Sequence, residues 1–583
     1  MTEFQQAREA AFQELQNFFS IRKMEHSARK KLGLAVFSEV WEVTTEYFSC
    51  DDIARRVNLL VCLKADFPVT PPNVRIPKSE LPNIGFIPHV APSGSICLFD
   101  EDDVDLNVSK PGQIVKECLD RARTIIEEGV SMKNESDFEE EFLAYWKESY
   151  SEREVIFDCL HFLDHLPEPG ATVCLKSFQP PYTNFRFLLY DEKGEIESFN
   201  TFLKESTITS VTKAGLYLGN YPGLTPPYPT TNIAIAKSIE EGGFDLKHLK
   251  KYLNDHTDFP ILLFSKRFKN TFIIIGFLVG HLATNRKGYR PGALHPYDVF
   301  AKMQGQRTVA RLSFTAYTKH RLEVRTSGTV AKTGFKFFMA GLGSIGSNLL
   351  PYLKGLPISK LFLVDPDFLT IDNINRHLLG FSYLKQQKVH ALRHYLITQD
   401  PLTEVIAASD SVTSIIQNQP DEINLYDYLV ISIGKTNVEN FLIECQQENI
   451  IKKPMIVIWV EPYLLGGHML FLQPQNRIAI PDLKCDGFFR FNVIHQEEYR
   501  KRAAFFRLKE AGCQSTYTPY GQRNITLFLS CTISFIDSFV RTGRQDNCIL
   551  SWRSGDDLFQ ELNVLPSDYG KAISPGHFVI SSL

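Results

Sequence analysis

The hydrophobic positions of this chain change period along its length. Phe12, Leu15 and Phe19 fall at helical spacing within residues 1–30. LAVFSEVWEV and VNLLVCLKA then read as strands. The prolines of DFPVTPPNVRIP exclude a helix and favour an edge or loop path. Helical spacing returns in QIVKECLDRARTIIEEG and EEFLAYWKESY, so residues 1–152 are expected to form an α+β unit. Over residues 153–328, strand-like runs (FRFLLYDE, ILLFSKRF, TFIIIGFLVG) alternate with loops such as NYPGLTPPYPTTN. They predict a middle α/β or β-rich linker domain that spaces or docks its neighbours. From Gly334 the order becomes strand (FKFFMA), glycine turn (GLGSIG), helix (SNLLPYLKGL), strand (KLFLVD). The later strands DYLVISIG, MIVIWV and HMLFL extend this alternation into a mostly parallel, doubly wound sheet over residues 329–583.

Composition narrows the function classes. At 583 residues the chain is long enough for three or four domains of ~150 residues each. Lys plus Arg number 63 against 67 Asp plus Glu, a net charge of −4, which argues against a nucleic-acid-coating protein. None of the eleven cysteines forms a C-x-x-C pair, so the common zinc-ribbon and redox-pair signatures are missing. The start, MTEFQQAREAAFQEL, has no apolar signal core, and TFIIIGFLVG is about half the ~20 residues of a membrane helix. The expectation is a cytoplasmic, non-membrane, multidomain protein with free thiols.

Gly341, Gly343 and Gly346 form G-x-G-x-x-G after a predicted strand and at the start of a helix. Such glycines permit a tight turn and leave helix N–H groups open to phosphate. Asp365 ends the next strand, where a carboxylate can take ribose hydroxyls. Asp367, Asn373, Arg376 and Lys388 follow it in VDPDFLTIDNINRHLLGFSYLKQQKVHAL. Two cations suit the charge that develops when an α-phosphate is attacked and pyrophosphate leaves. A nicotinamide oxidoreductase could use the same glycine loop, but it leaves Asn373, Arg376 and Lys388 without a task.

This stretch resembles the adenylation domain of ubiquitin-activating enzymes and of the ThiF/MoeB class, over roughly residues 334–540. GLGSIG, the D-x-D at Asp365 and Asp367, and N-x-x-R at Asn373 and Arg376 fall in family order. Lys388 comes one residue sooner than in many relatives. The resemblance implies ATP as substrate, with Asp365 on the ribose and Asn373, Arg376 and Lys388 on the phosphates. The magnesium-linked Asp that many relatives carry after the DYLVISIG strand is missing, and Lys435 follows instead. Asp367 is then the candidate ligand for Mg2+. A cysteine should capture the acyl-adenylate. Cys513, in KEAGCQSTYTPYG, is the first choice and Cys485, in DLKCDGFF, the second; Cys445, Cys531 and Cys548 read as packing positions.

The N-terminal segment resembles ubiquitin-conjugating enzymes. Phe67, Pro68, Pro71, Pro72, His89, Gly94, Ile96, Cys97 and Leu98 match that family's active-site run in order. Cys97 would carry a thioester, and Cys62 reads as core. His89 joins Cys97 as a candidate catalytic residue, although the Pro and Asn that should follow it are Val90 and Ala91. The acidic run Asp100, Glu101, Asp102 and Asp103 could orient or deprotonate an incoming lysine. An activating and a conjugating domain in one chain resemble the bacterial fusions of CBASS antiphage operons. That resemblance implies a homodimer that conjugates the C-terminus of a cGAS-like nucleotidyltransferase to an amine on a target. Relatives that borrow a partner arginine point to Arg321 or Arg325. Sulfur-carrier activation and a non-catalytic scaffold that binds a ubiquitin-like protein remain the alternatives.

Overall fold

The computed structural model describes residues 2–583 except 50, 52, 100–103, 150–152, 183, 192–195, 269, 270, 286–288, 291, 329–333, 510–515, 544 and 545. It divides into two compact units. One holds residues 1–192 and 210–317, the other 193–209 and 318–583.

The first unit begins with helix Glu3–Leu15, opened by a reciprocal capping box between Thr2 and Gln5. Helical spacing does not persist to residue 30. The helix stops at Leu15, and Ser20–Lys23 is a strand paired with Trp41–Thr44, so Phe19 packs from outside the helix. The antiparallel meander Ser20–Lys23, Glu39–Phe48, Ala54–Leu63, Asn73–Arg75 turns one face to the main core. That face (Trp41, Val43, Leu59, Val61) packs with Ala11 and Leu15 and with the apolar stripe of helix Pro111–Val130. Cys62 lies on the other side of its strand, buried among Leu34, Val40 and Leu60. Burial pushes its thiol up to about 12, as expected of a core cysteine.

The middle segment is β-rich. Seven strands, Val155–His161, Thr172–Tyr182, Phe185–Tyr190, Ser210–Asn220, Ile261–Phe268, Thr271–Leu278 and Ala310–Ala316, close into a barrel. Its interior is filled by residues such as Leu175, Leu189, Leu263, Ile274 and Phe314. TFIIIGFLVG is one of these strands, and its apolar run reflects burial within the closed sheet.

EEFLAYWKESY holds helix Phe142–Lys147, which a break at Glu141 separates from the preceding short helix Asp137–Glu140. Phe138, Phe142 and Trp146 are buried with barrel residues Leu216, Phe264 and Phe277. The Trp146 indole N–H donates to the Leu312 carbonyl at 3.0 Å, and the Arg311 guanidinium returns a 2.9 Å bond to the Trp146 carbonyl. Arg311, almost fully buried, is paired with Glu154 at 2.8 Å.

The second unit is built on an eight-stranded sheet. Its order is Glu404–Ala408, Ile358–Val364, Phe335–Ala340, Tyr428–Ile431, Met455–Val460, Gly466–Leu472, Cys548–Arg553, Phe578–Ser582. The first five strands are parallel and the last three join antiparallel, so the expected doubly wound sheet carries an antiparallel extension. The chain leaves Phe335–Ala340 toward one sheet edge and returns at Tyr428–Ile431 on its other side. Ligands bind at such a switch point, outside the strands' carboxyl ends. Helix Gln522–Thr542 is long and apolar enough, by length and composition, to cross a membrane. In this fold it buries Ile525, Phe528, Thr532, Phe535 and Phe539, a stripe at helical spacing.

Trp146→Ala should cost about 3–5 kcal/mol, because it opens a cavity and removes the hydrogen bond to the Leu312 carbonyl. Denaturant unfolding of the full chain checks this, and the loss should show without any change in the far-ultraviolet spectrum of the folded protein.

Candidate active sites

In the second unit, Gly341 follows strand Phe335–Ala340 at φ +87°, and a Cβ there would lie 2.7 Å from the Ser432 carbonyl. Only glycine fits. Gly346 is as constrained, since its Cβ would meet the Gly341 carbonyl oxygen at 2.0 Å. Helix Ser344–Leu353 has Gly343 at its N-cap, with no side chain closing the first turn. Its leading amides are therefore open to an anion. The Ser432 hydroxyl donates to the Gly341 carbonyl at 2.6 Å, which pins the loop from across the switch point.

The Asp365 carboxylate is tied to the glycine loop. Its two carboxylate oxygens accept the amides of Leu342 (2.6 Å) and Asp367 (2.9 Å), and only 5% of the residue is exposed. It clamps the glycine loop to the next strand and does not line the cleft. Asn373 is also local, since its side-chain oxygen accepts from the Thr370 amide and hydroxyl and shapes that turn. The cleft, about 800 Å³, is walled by Gly343, Asp367 and Arg376 among the expected residues. The Arg376 guanidinium lies 5.5 Å over the Tyr520 ring, whose hydroxyl meets Ser344 at 2.7 Å. Among the described residues no carboxylate pairs with Arg376, so its charge faces the cleft unneutralised. Lys388 stands one layer behind, buried, with its ammonium 3.1 Å from exposed Asp367.

The pairing with Lys388 makes Asp367 a weaker lone metal ligand than the sequence reading supposed. Among the described residues no group of three or more His, Cys, Asp or Glu could hold a metal. Magnesium that arrives on phosphates needs only one or two carboxylates. The cleft offers Asp367 and a second that the sequence reading missed, Glu439. Glu439 is buried in the first turn of helix Thr436–Gln447 and accepts the Gly434 amide at 2.9 Å. Burial holds its carboxyl above the usual range. A carboxylate one turn beyond Lys435 was the available signal.

His377 was missed as well. Its Nε2 donates to the Leu342 carbonyl at 2.9 Å, while Nδ1 accepts the Leu379 amide at 3.0 Å. That pattern requires a neutral ring, and burial, reinforced by nearby Lys388, lowers its pKa to about 4. His377 is thus a second clamp on the glycine loop.

Cys485 is exposed in a tight turn whose Asp486 and Gly487 both have positive φ. Its neighbours Lys484 and Phe489 line the cleft. Cys513 lies outside the described residues; the flanking pieces Leu508–Lys509 and Thr516–Tyr517 pair as strands, and Tyr517 is a cleft residue. Cys445 and Cys548 are buried and Cys531 is half-buried.

In the first unit, Val90 and Ile96 pair across a tight loop. Gly94 turns it at φ +84°, where a Cβ would strike the Ile76 carbonyl oxygen at 2.0 Å. Bonds Ile96 N to Val74 O (2.9 Å) and Ile76 N to Gly94 O (2.7 Å) sew the loop to the sheet. Ile96 and Leu98 are buried while Cys97 between them is exposed, its amide donating to the His89 carbonyl at 2.8 Å. Cys97 opens into a cleft of about 640 Å³ with His89, Arg75, Glu141 and Tyr145. His89 and Cys97 thus line one cleft and share a backbone hydrogen bond. The run Asp100–Asp103 lies outside the described residues.

Asp137 and Glu141 were not anticipated. His89 Nε2 is 2.9 Å from Asp137 and Nδ1 3.4 Å from Glu141, while the His89 amide donates to the Tyr145 hydroxyl at 2.8 Å. A hydrogen bond to Cys97, with support from Asp137 and Glu141, raises the His89 pKa to about 9. A partner 48 residues away leaves no local signal.

Family models match in both units: prokaryotic E2 family B over residues 30–155 and the ThiF family over residues 318–455. The chain joins an E2-like domain to a ThiF domain. Among solved structures it is similar to E. coli MccB with ATP, at 14% identity over 40% of this chain and 64% of that one, TM-score 0.28. MccB with AMPCPP and MccA shows 14% identity over 40% and 64%, TM-score 0.27. PaaA shows 14% over 40% and 73%, TM-score 0.27. The chain thus spans just under two thirds of the MccB structures. No curated protein matches it.

The neutral His377 gives a pH prediction. Its folded pKa is below the ordinary 6.5, so the unfolded chain takes up the proton first as pH falls. Stability should drop by up to roughly 3 kcal/mol between pH 6.5 and 4 on this account. Denaturant titrations of the full chain at pH 7 and pH 5 should show a smaller loss for His377→Gln than for wild type.

Proposed function

We propose that the chain is an ATP-dependent, ubiquitin-transferase-like enzyme. It adenylates the C-terminus of a partner protein, relays the acyl group as a thioester from Cys513 to Cys97, and joins it to an amine of a target. The observation that carries this reading is one chain holding two kinds of site. One is a glycine-loop cleft with open helix amides and an Arg376 that no carboxylate pairs among the described residues; the other is an exposed cysteine held between buried neighbours beside His89.

The partner's carboxylate oxygen attacks the α-phosphorus of ATP and pyrophosphate leaves. Arg376, with the amides of helix Ser344–Leu353, faces the charge that builds on the phosphates. Mg2+ would be held by Asp367 and Glu439 and would supply further neutralisation of the phosphates. A cysteine thiolate then displaces AMP. Cys513 is the choice over Cys485, and its segment adjoins cleft residue Tyr517. Exchange to Cys97 moves the acyl group between sulfurs, and attack by an amine forms the amide and frees the Cys97 thiol. Covalent linkage of the two domains raises the effective concentration of one thiol near the other. By the resemblance drawn from the sequence, the donor is a cGAS-like nucleotidyltransferase, the setting is cytoplasmic antiphage defence, and the working form is a homodimer.

The test is a non-reducing gel of the protein with ATP, magnesium and that nucleotidyltransferase, run beside pyrophosphate exchange. Cys97→Ala should stall a thiol-sensitive adduct on Cys513, and Cys513→Ala should abolish adducts while exchange continues. Arg376→Ala should lower exchange about 10²-fold. ATP binding with neither exchange nor adduct would leave a nucleotide-binding scaffold.

A further inference from the structure

Trp459 and Phe489 line the nucleotide cleft, yet the adenylation chemistry gives them no task. We propose that Trp459 is a specificity-determining residue for the acyl donor, the wall against which the donor's C-terminal tail packs an apolar side chain about three residues from its end. The inference rests on the proposed adenylation of a partner's C-terminus.

The sheet sets the two ends of the cleft apart. Gly343, Ser344 and Arg376 mark the phosphate end, at the glycine turn after strand Phe335–Ala340. Tyr428–Ile431 is the neighbouring strand and Met455–Val460 the one beyond it, with Trp459 near its carboxyl end. Neighbouring strands lie about 4.8 Å apart, so Trp459 stands roughly 10 Å across the sheet from the phosphate end. An extended chain covers about 3.3 Å per residue, which puts the third residue from the terminus over Trp459 when the carboxylate reaches the α-phosphorus.

Trp459 is held there from beneath. In the run WVEPYLLGGH it pairs across the hairpin with His468, and the two rings stack at 5.2 Å. His468 is fully buried; its Nε2 donates to Glu461 at 2.9 Å and its Nδ1 lies 3.0 Å from the Ser551 hydroxyl. The Glu461 carboxylate also accepts the amides of Val493 (2.6 Å) and Ile494 (2.9 Å) and the Tyr499 hydroxyl (2.9 Å). Phe489 meets Trp459 in a T-shaped contact at 4.9 Å. A buried polar network satisfied in this way fixes the ring above it. Trp459 is only half-buried, and a preorganised apolar wall takes up an apolar side chain at little entropic cost. Charge fits the same occupant. Lys435 and Lys484 line the cleft and neither is ion-paired among the described residues, while its carboxylates are Asp367, paired with Lys388, and buried Glu439. Two cations beside an aromatic wall suit a tail that is apolar along its length and negative at its end.

Pyrophosphate exchange on the full chain tests this, with ATP, magnesium and acetylated peptides Gly-Gly-Gly-X-Gly-Gly as probes. X is Gly, Leu, Phe or Asp, and C-terminally amidated peptides supply the blank. Leu and Phe should lower the KM for peptide about 10-fold or more against Gly, with kcat little changed, because such a contact is made equally in the ground and transition states. Moving Leu to the last position should lose the gain. Trp459→Ala should bring the Leu and Phe peptides to the KM of the Gly peptide and leave kcat within about twofold, whereas a merely structural role would lower kcat for every peptide alike and keep the preference. Trp459→Phe retains an apolar ring and should retain most of the preference. Exchange that does not distinguish Leu or Phe from Gly, or a preference that survives Trp459→Ala, would overturn this inference alone. No carboxylate-dependent exchange with any peptide would overturn the adenylation reading and this one with it.

Discussion

The Cys97 site depends on a two-faced segment of eleven residues, Asp137–Lys147. Phe138, Phe142 and Trp146 recur every four positions and are buried with the barrel residues. Asp137, Glu141 and Tyr145 recur at the same interval one position earlier and meet His89. Helical geometry places residues four apart on one face, so docking the apolar face fixes where the acidic face points. Burial of three aromatic side chains, each worth about 1.5–3 kcal/mol, outweighs the modest cost of holding two partly exposed carboxylates near an imidazole. The barrel, which carries no chemistry of its own that we identify, thereby sets the electrostatics around Cys97.

The nucleotide cleft follows another logic. Its glycine loop is left unfilled by side chains and is held from outside by Ser432, Asp365 and His377. These three bind main-chain groups of Gly341 and Leu342, whose polar atoms would otherwise lie buried without those partners. The helix amides beyond Gly343 stay open for that reason. A preorganised loop loses little on binding phosphate, because its ordering cost is met on folding. Arg376 is aimed by packing against Tyr520 and needs no carboxylate to hold it.

Much of this was legible in the sequence because it is locally encoded. The alternation of strand and helix, the turn at Gly341 and the loop around Gly94 each follow from side-chain period or from a backbone conformation that glycine alone tolerates. Ile96 and Leu98 are buried on either side of exposed Cys97, in a run that the sequence offered only as a motif match. The barrel was harder to see, since a closed sheet buries its strands on more than one side and erases the polar alternation that marks a half-exposed strand.

What the tertiary structure decided was the partnership of each polar side chain. Asp365 had the right residue type and position for a ribose, yet the fold turns its carboxylate onto two loop amides. Asn373 serves its own turn, and Lys388 neutralises Asp367 from behind. Glu439 reaches the cleft from a helix after a different strand, and Asp137 reaches His89 across 48 residues. The sequence by itself determined the elements and the two chemistries, because period, glycine turns and reactive residue types are properties of neighbours along the chain. Which charge faces which was left to the fold, because an ion pair or hydrogen bond depends on distances of a few ångströms that only packing between distant segments sets.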